Sequence, residues 1–114
     1  MNLPTIPQSP LSDALKARFD AEIKAHPVVL YMKGNQLFPK CGFSARALEL
    51  LKPHGPVFSV DVLADPEVRD GIKVYSNWPT IPQVYIHGEF VGGSDIVQQL
   101  AQSGELATMI KKTP

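Results

Sequence analysis

The sequence has little cysteine, since Cys41 is the only one in 114 residues. A single thiol cannot form a disulfide within the chain, which excludes a small secreted scaffold held by disulfides and favours a reducing compartment. A structural zinc site needs about four Cys or His ligands at short spacing, whereas His26, His54 and His87 are scattered singly. Any metal bound through Cys41 therefore needs further ligands from outside the chain.

The sequence also lacks an excess of charge of either sign and any long apolar run. Lys and Arg together number 11, as do Asp and Glu, which argues against a nucleic-acid or membrane-surface partner and favours a small molecule or a protein. No apolar run approaches the roughly 20 residues of a membrane span, and the first residues resemble neither a signal peptide nor an arginine-rich transit peptide. We expect a soluble, cytoplasmic protein.

The pattern along the chain predicts a flexible tail over residues 1–11, which contain Pro4, Pro7 and Pro10, and one domain over residues 12–112. The predicted elements are a helix from Ser12 to His26, a strand at 28–32, a helix at 41–52, a strand at 57–62, a helix from 65 to about 77, strands at 83–87 and 89–91 joined by a tight turn, a helix opened by Ser94 and Asp95, and a short helix at 105–111. The order predicts an α/β fold with a four-stranded mixed sheet layered by helices. Several known α/β topologies share this order of elements.

Cys41 is the main candidate for chemistry, because it follows a loop and opens a predicted helix. Free N–H groups and the positive end of the helix dipole stabilise a thiolate there, and Lys40 adds positive charge. Ser44 stands three residues later, where a two-cysteine redox centre places its second thiol, so no intramolecular disulfide step is available. Two simpler alternatives are that Cys41 is a small buried apolar residue and that Phe43 only packs in the core.

Further candidates could bind a charged ligand beside Cys41. Arg69 and Lys73 are four residues apart on one helix, and Lys33 follows the first strand, so three cations could converge on a carboxylate. The segment 93–95 opens a helix whose N–H groups could receive a second carboxylate, while Asp95 could meet an ammonium group. Glutathione has this inventory of a thiol, two carboxylates and an amine. Taken singly, each cation is equally compatible with a solvated charge, and the segment 93–95 with an ordinary helix start.

Three sequence segments carry a family resemblance. They are Lys33-Gly34 followed by Pro39-Lys40-Cys41-Gly42-Phe43-Ser44, then Trp78-Pro79-Thr80-Ile81-Pro82-Gln83, and Gly92-Gly93-Ser94-Asp95. Over about residues 12–112 the chain resembles the monothiol glutaredoxins of the Cys-Gly-Phe-Ser type. The resemblance implies a thioredoxin-like fold with a cis peptide bond before Pro82.

The resemblance also implies a ligand set and an assembly. Glutathione would be bound non-covalently by residues Lys33, Phe43, Arg69, Lys73, Thr80, Ile81, Pro82, Gly93, Ser94 and Asp95. A [2Fe-2S] cluster would be ligated by Cys41 of two protomers and the thiols of two glutathiones, so that the homodimer forms with the cluster and the chain is otherwise a monomer. Partners would include apo iron-sulfur proteins and a BolA-type protein.

Two functions use this predicted site. The chain could carry a [2Fe-2S] cluster to apo-proteins, or Cys41 could exchange thiols with glutathione mixed disulfides as an oxidoreductase. Many relatives carry cysteine where this chain has Ser94. The serine excludes any disulfide at this position but preserves the geometry of the helix start. Leu37 and Phe38 also depart from a commoner, more polar loop and are expected to affect docking of a partner or of the second protomer.

Overall fold

The computed structural model describes residues 4–112, so residues 1–3 of the predicted tail lie outside the described part. The elements are α1 (Asp13–Ala25), β1 (Val28–Met32), α2 (Gly42–Leu51), β2 (Phe58–Asp61), α3 (Pro66–Ser76), β3 (Gln83–Ile86), β4 (Glu89–Gly92), α4 (Ser94–Ser103) and α5 (Glu105–Lys111). Residues 4–11 contain neither helix nor strand. The division into a flexible tail and a domain from residue 12 stays a prediction.

The four strands form one mixed sheet in the order β2-β1-β3-β4. β1 pairs with β2 in parallel, and β3 pairs with both β1 and β4 in antiparallel fashion. The turn between β3 and β4 places His87 at φ 49° and Gly88 at φ 84°, and two successive positive φ angles match the right-handed twist of a tight hairpin. The predicted mixed sheet and hairpin are therefore confirmed.

β1 lies at the centre of the molecule and is buried on both faces. Val29 and Tyr31 pack on one face in a cluster with residues of α1 and α3, including Phe19 and Ile72. The alternate residues of β1 pack on the other face with α2, α4 and α5 in a cluster that contains Leu106. This two-sided burial explains why β1 reads as a continuous apolar run.

Short-range capping fixes the ends of the two helices on one side of the sheet. The Ser12 hydroxyl accepts from the N–H of Leu15 at 3.2 Å at the start of α1, and the Asp65 carboxylate accepts from the N–H of Glu67 at 3.0 Å at the start of α3. Asn77 ends α3 in the left-handed region, at φ 55°. Each of these signals was present in the sequence.

Three details differ from the sequence-based expectation. β2 ends at Asp61 rather than Val62, because the Asp61 carboxylate accepts from the N–H groups of Gly34 and Leu63, both at 2.9 Å, and turns the chain into a 3₁₀ turn. The N-cap of α4 is Gly93, so Ser94 is the first helical residue and not the cap. Phe43, for which packing in the core was one of the alternatives, is 58% exposed. No helix within residues 4–112 is both long and apolar enough to cross a membrane.

Candidate functional site

Cys41 is the N-cap of α2 and follows a loop that the sequence makes rigid. Gly34 has φ +88°, and a Cβ there would lie 2.5 Å from the carbonyl oxygen of Phe38, so only glycine fits. The N–H of Lys40 donates to the carbonyl of Lys33 at 2.9 Å, and the Asn35 side chain accepts from two N–H groups inside the loop. The loop therefore holds Cys41 beside the end of β1.

The pKa of the Cys41 thiol is lowered from its ordinary value, through opposing effects. Partial burial is the largest single effect and raises the pKa. Four smaller effects together outweigh it and lower the pKa: hydrogen bonds from the N–H groups of Ser44 and Phe43, one from the Ser44 hydroxyl, and the positive charge of Lys33. The buried Ser44 hydroxyl accepts from the Lys33 N–H at 3.1 Å, which leaves its own proton free for the sulfur. The N–H groups of Phe43 and Ser44 belong to the first turn of α2, whose N-cap is Cys41, so the helix start itself favours the thiolate form.

A cleft of about 440 Å³ adjoins this helix start, a volume within the usual range for small-molecule sites. Its walls come from the end of β1, the first turn of α2, α3, the segment before β3 and the start of α4. The lining residues are Pro4, Lys33, Phe43, Lys73, Trp78, Pro79, Thr80, Ile81, Pro82, Gly93, Ser94, Asp95 and Ile96. Cys41 is not among the lining residues, but Phe43 of the same helix start and the nearby Lys33 are, so Cys41 adjoins the rim of the cleft.

Positive charge gathers at one side of the cleft. The pKa of Lys73 is lowered, first by partial burial and then by the charges of Arg69 and Lys33, while Asp70 opposes the shift. Cations that repel one another in this way are stabilised when an anion binds between them. Arg69 does not line the cleft, and its Nε lies 3.5 Å from the Asp70 carboxylate in an exposed pair.

The start of α4 forms the opposite side. Gly93 caps the helix without a side chain, so its first N–H groups are left for an acceptor in the cleft. A Cβ on Gly93 would lie 3.3 Å from the carbonyl oxygen of Pro82, so the helix start and the Pro82 segment approach closely. The Ser94 hydroxyl and the Trp78 indole N–H are buried without a hydrogen-bond partner among the described residues, and buried polar groups are normally paired.

The segment between α3 and β3 is fixed by a residue whose role the sequence analysis missed. Gln83 is fully buried, and its side-chain amide donates to the carbonyls of Trp78 and Thr80 at 3.1 and 3.2 Å. The peptide bond between Ile81 and Pro82 is cis, as expected. Gln83 is therefore a positioning residue for this wall of the cleft.

The structure brings together most of the residues predicted to bind glutathione. All of them except Arg69 line the cleft; that they bind glutathione stays a prediction. Sequence reasoning missed the lining side chains of Pro4, Trp78, Pro79 and Ile96. Trp78 and Pro79 were inside a recognised motif, so their position was available as a signal, whereas nothing in the sequence connects Pro4 to the cleft.

Metal ligands within the chain are sparse. In the part that the structure describes, no group of three or more His, Cys, Asp or Glu side chains could hold a metal ion. Cys41 is the one cysteine of the whole sequence. A metal bound at Cys41 would draw its other ligands from outside.

Comparison with known proteins identifies a family. Residues 28–91 match the family model described as Glutaredoxin. The chain is 56% identical over 97 residues to an uncharacterized monothiol glutaredoxin ycf64-like of Synechocystis, covering 84% of this chain and 91% of that protein. It is 45% identical over 106 residues to the mitochondrial monothiol glutaredoxin-5 of Saccharomyces cerevisiae, covering 90% and 71%. Several other curated relatives are longer, and the chain spans 21–32% of their lengths.

Solved structures agree on the fold. The solution structure of reduced poplar apo GrxS14 matches with a TM-score of 0.79 at 46% identity, covering 89% of this chain and 94% of that one. A crystal structure of a buckwheat glutaredoxin-glutathione complex matches with a TM-score of 0.75 at 20% identity, covering 85% and 87%, a likeness that concerns the fold alone. The thioredoxin-like fold is thus confirmed, and the chain belongs to the glutaredoxin family, among the monothiol glutaredoxins.

Proposed function

We propose that this chain binds glutathione in the cleft and, with Cys41, holds a [2Fe-2S] cluster as cargo for transfer to apo-proteins. The observation that carries the proposal is a thiolate-stabilising helix start at the rim of a cleft lined by complementary charges. The family of the chain and the solved glutathione complex of another glutaredoxin support it.

The cleft suits glutathione at three points. Lys33 and Lys73 provide positive charge for one carboxylate, with the charge repulsion between them relieved by the ligand. The free N–H groups at the start of α4 suit the other carboxylate, and the Asp95 carboxylate there suits the ammonium group. The glutathione thiol would then lie toward the rim, where Cys41 is located.

Cluster binding requires that sulfur ligands from several molecules meet at this rim. Cys41 supplies one thiolate, glutathione supplies a second, and a second protomer with its own glutathione supplies the remaining two. A partly buried cysteine with a lowered pKa fits the role of one ligand. We therefore infer a homodimer in the cluster-bound form and a monomer without the cluster. Transfer would proceed by exchange of these ligands for those of an apo-protein.

A second candidate function is glutathione-dependent thiol exchange, favoured by the lowered pKa of a thiol that is only partly buried. The Cys41 thiolate would attack the glutathione sulfur of a mixed disulfide, break the S–S bond and release the substrate thiolate. A second glutathione thiolate would then attack the glutathionylated Cys41, regenerate the thiolate and leave as glutathione disulfide. Ser44 offers no thiol for an internal alternative.

Anaerobic reconstitution separates the two functions. The full chain is incubated with iron, sulfide and glutathione and analysed by visible spectroscopy and gel filtration. We expect charge-transfer bands on a dimer, which require both glutathione and Cys41. Cys41→Ser tests the thiol, and Ser103→Ala, an exposed substitution at the end of α4, serves as the control. A colourless monomer that rapidly reduces glutathionylated substrates would replace the carrier by the exchange enzyme.

Compartment and protein partners follow from the carrier function. We infer a reducing compartment, the cytoplasm, because the single thiol must stay reduced to bind a metal. Apo iron-sulfur proteins would receive the cluster, and a BolA-type protein would bind the glutathione-bearing form. Gel filtration of the reconstituted chain with such a protein would test the last point.

A further inference from the structure

Residues 4–11, named here the proline strap, run from the start of α1 along α3 to the cleft. Pro7 and Pro10 line a hollow of about 350 Å³ whose opposite wall includes Gly71 and Val74 of α3. Pro4, at the other end of the strap, lines the cleft. The prolines are spaced by three residues, which is the repeat of a polyproline II helix, so this spacing suits an extended segment with one proline face.

The strap is rooted by apolar packing. Leu11 packs against the core cluster that contains residues of α1 and α3. A Cβ on Gly71 would lie 3.3 Å from Leu11 Cδ1 and 3.0 Å from Leu15 Cδ1. The missing side chain at position 71 is therefore what allows the root of the strap to lie directly on α3.

Among the described residues, no hydrogen bond joins residues 4–10 of the strap to the rest of the domain. The strap's one hydrogen bond, among the residues that the structure describes, is internal, from Gln8 Nε2 to the carbonyl of Ile6 at 3.5 Å. A segment without ladder hydrogen bonds can move away from the body at small cost. Proline restricts the free segment, which limits the conformational entropy that the strap loses when it packs against the domain. Packing of the strap therefore also costs little free energy.

The strap does not fill the site. With Pro4 in place the cleft retains about 440 Å³, and the charged residues Lys33, Lys73 and Asp95 still line it. The Pro4 ring thus forms an apolar wall beside the space left for a ligand. A wall adds contact with the ligand, whereas a plug would compete with it.

We propose that the proline strap is a displaceable additional wall of the ligand cleft, with Pro4 contacting the bound ligand and slowing its release. This inference rests on the proposed function for the identity of the ligand, glutathione. It assigns a binding role to a segment that lies outside the family-model match at residues 28–91.

The lone tryptophan provides the test, because Trp78 lines the same cleft as Pro4. The full-length triple variant Pro4→Gly, Pro7→Gly, Pro10→Gly is compared with Thr5→Ala, an exposed change within the same segment. Acrylamide quenching of Trp78 is measured without ligand, and the Kd and release rate of reduced glutathione are measured by tryptophan fluorescence and stopped flow. Circular dichroism confirms that the variants fold.

For the triple variant we expect stronger quenching and a Kd about five-fold higher, equivalent to about 1 kcal/mol, mainly through faster release. Thr5→Ala should match the parent chain. Unchanged quenching and release would overturn the proposal, and tighter binding would overturn it by showing that the strap competes with the ligand. If the parent chain fails to bind glutathione, the proposed function fails, and the quenching comparison alone decides whether the strap covers the cleft.

Discussion

Lys73 and Arg69 lie one helical repeat apart on α3 but have different surroundings. Lys73 lines the cleft, whereas Arg69 lies outside it and pairs with Asp70. The sequence could place both on one face of a helix, since this needs only the helical period. It could not tell which one reaches the cleft, because that depends on how α3 is rotated against the sheet.

We predict that Lys73→Gln weakens glutathione binding by about ten-fold or more, since a hydrogen bond to a charged group contributes about 1.5–3 kcal/mol. Arg69→Gln is the matched control and should change the Kd far less, because Arg69 acts only through longer-range charge. Isothermal titration of both variants at low salt provides the measurement. Equal losses would show that Arg69 turns toward the ligand when it binds.

Cys41 gives the stability of the fold a pH dependence whose sign follows from its lowered pKa. The folded state holds the thiolate more readily than the unfolded chain does. Its contribution is therefore fully present above the pKa of the unfolded thiol and is lost as the pH falls through the folded pKa. The free energy of unfolding, relative to Cys41→Ser, should rise with pH across this interval.

Urea unfolding of both proteins at a series of pH values measures this difference. Serine is a favourable N-cap, so the Cys41→Ser variant gains a free energy of unfolding that does not depend on pH. This gain shifts the difference between the two proteins by a constant and leaves its slope against pH unchanged. The rate of alkylation of Cys41 by iodoacetamide should have its midpoint below that of an ordinary thiol. A difference that is flat or falls with pH would contradict the stabilised thiolate.

At the scale of elements, the helices and strands could be predicted from the sequence more completely than the site. Ser12, Asp65 and Asn77 mark helix ends through local hydrogen bonds, and their signals lie within a few residues of the ends that they fix. Phe43 shows the opposite case. Its spacing from Ala47 suits a buried face, but the first turn of α2 borders the cleft instead of the core. Periodicity along one helix cannot show where neighbouring elements leave a gap.

The loop before Cys41 gives an element-scale prediction. Gly34→Ala should destabilise the fold by at least about 2 kcal/mol more than Gly104→Ala. Both glycines have similar positive φ angles, +88° and +83°, but a Cβ at Gly34 meets the backbone of Phe38 and Lys40 while Gly104 faces open space. Thermal or urea unfolding of the two variants isolates the steric contribution. Equal decreases in the free energy of unfolding would show that the loop rearranges to accommodate the Cβ at position 34.

At the scale of the whole molecule, β1 joins two apolar clusters across the sheet. We predict that Leu30→Ala, at a fully buried position, lowers the free energy of unfolding by about 2–5 kcal/mol. Leu63→Ala, at a position that is 47% exposed, should cost about 0.5 kcal/mol or less. Coincident loss of secondary structure and tryptophan fluorescence would show that both clusters unfold together, and separate transitions would contradict this.

Two of the parts of the site that escaped sequence reasoning are Pro4 and the role of Gln83, and only the first depends on distant segments. Pro4 reaches the cleft only because the strap crosses α3. Gln83 belongs to a recognised segment and hydrogen-bonds to carbonyl groups three and five residues before it, yet alternation along a strand could not show that its side chain is buried and turned back toward them. Tertiary packing decides both, and a single sequence has no periodicity that records it.

The single cysteine, with Ser44 where a second thiol would be, also governs how oxidation proceeds. Every disulfide that Cys41 makes joins it to a second molecule, either by exchange with a disulfide of that molecule or by reaction with its thiol and an oxidant, and the product is heavier by the group attached. Intact-mass measurement would therefore give both the extent of disulfide formation and the mass of the group attached to Cys41 from the same spectrum.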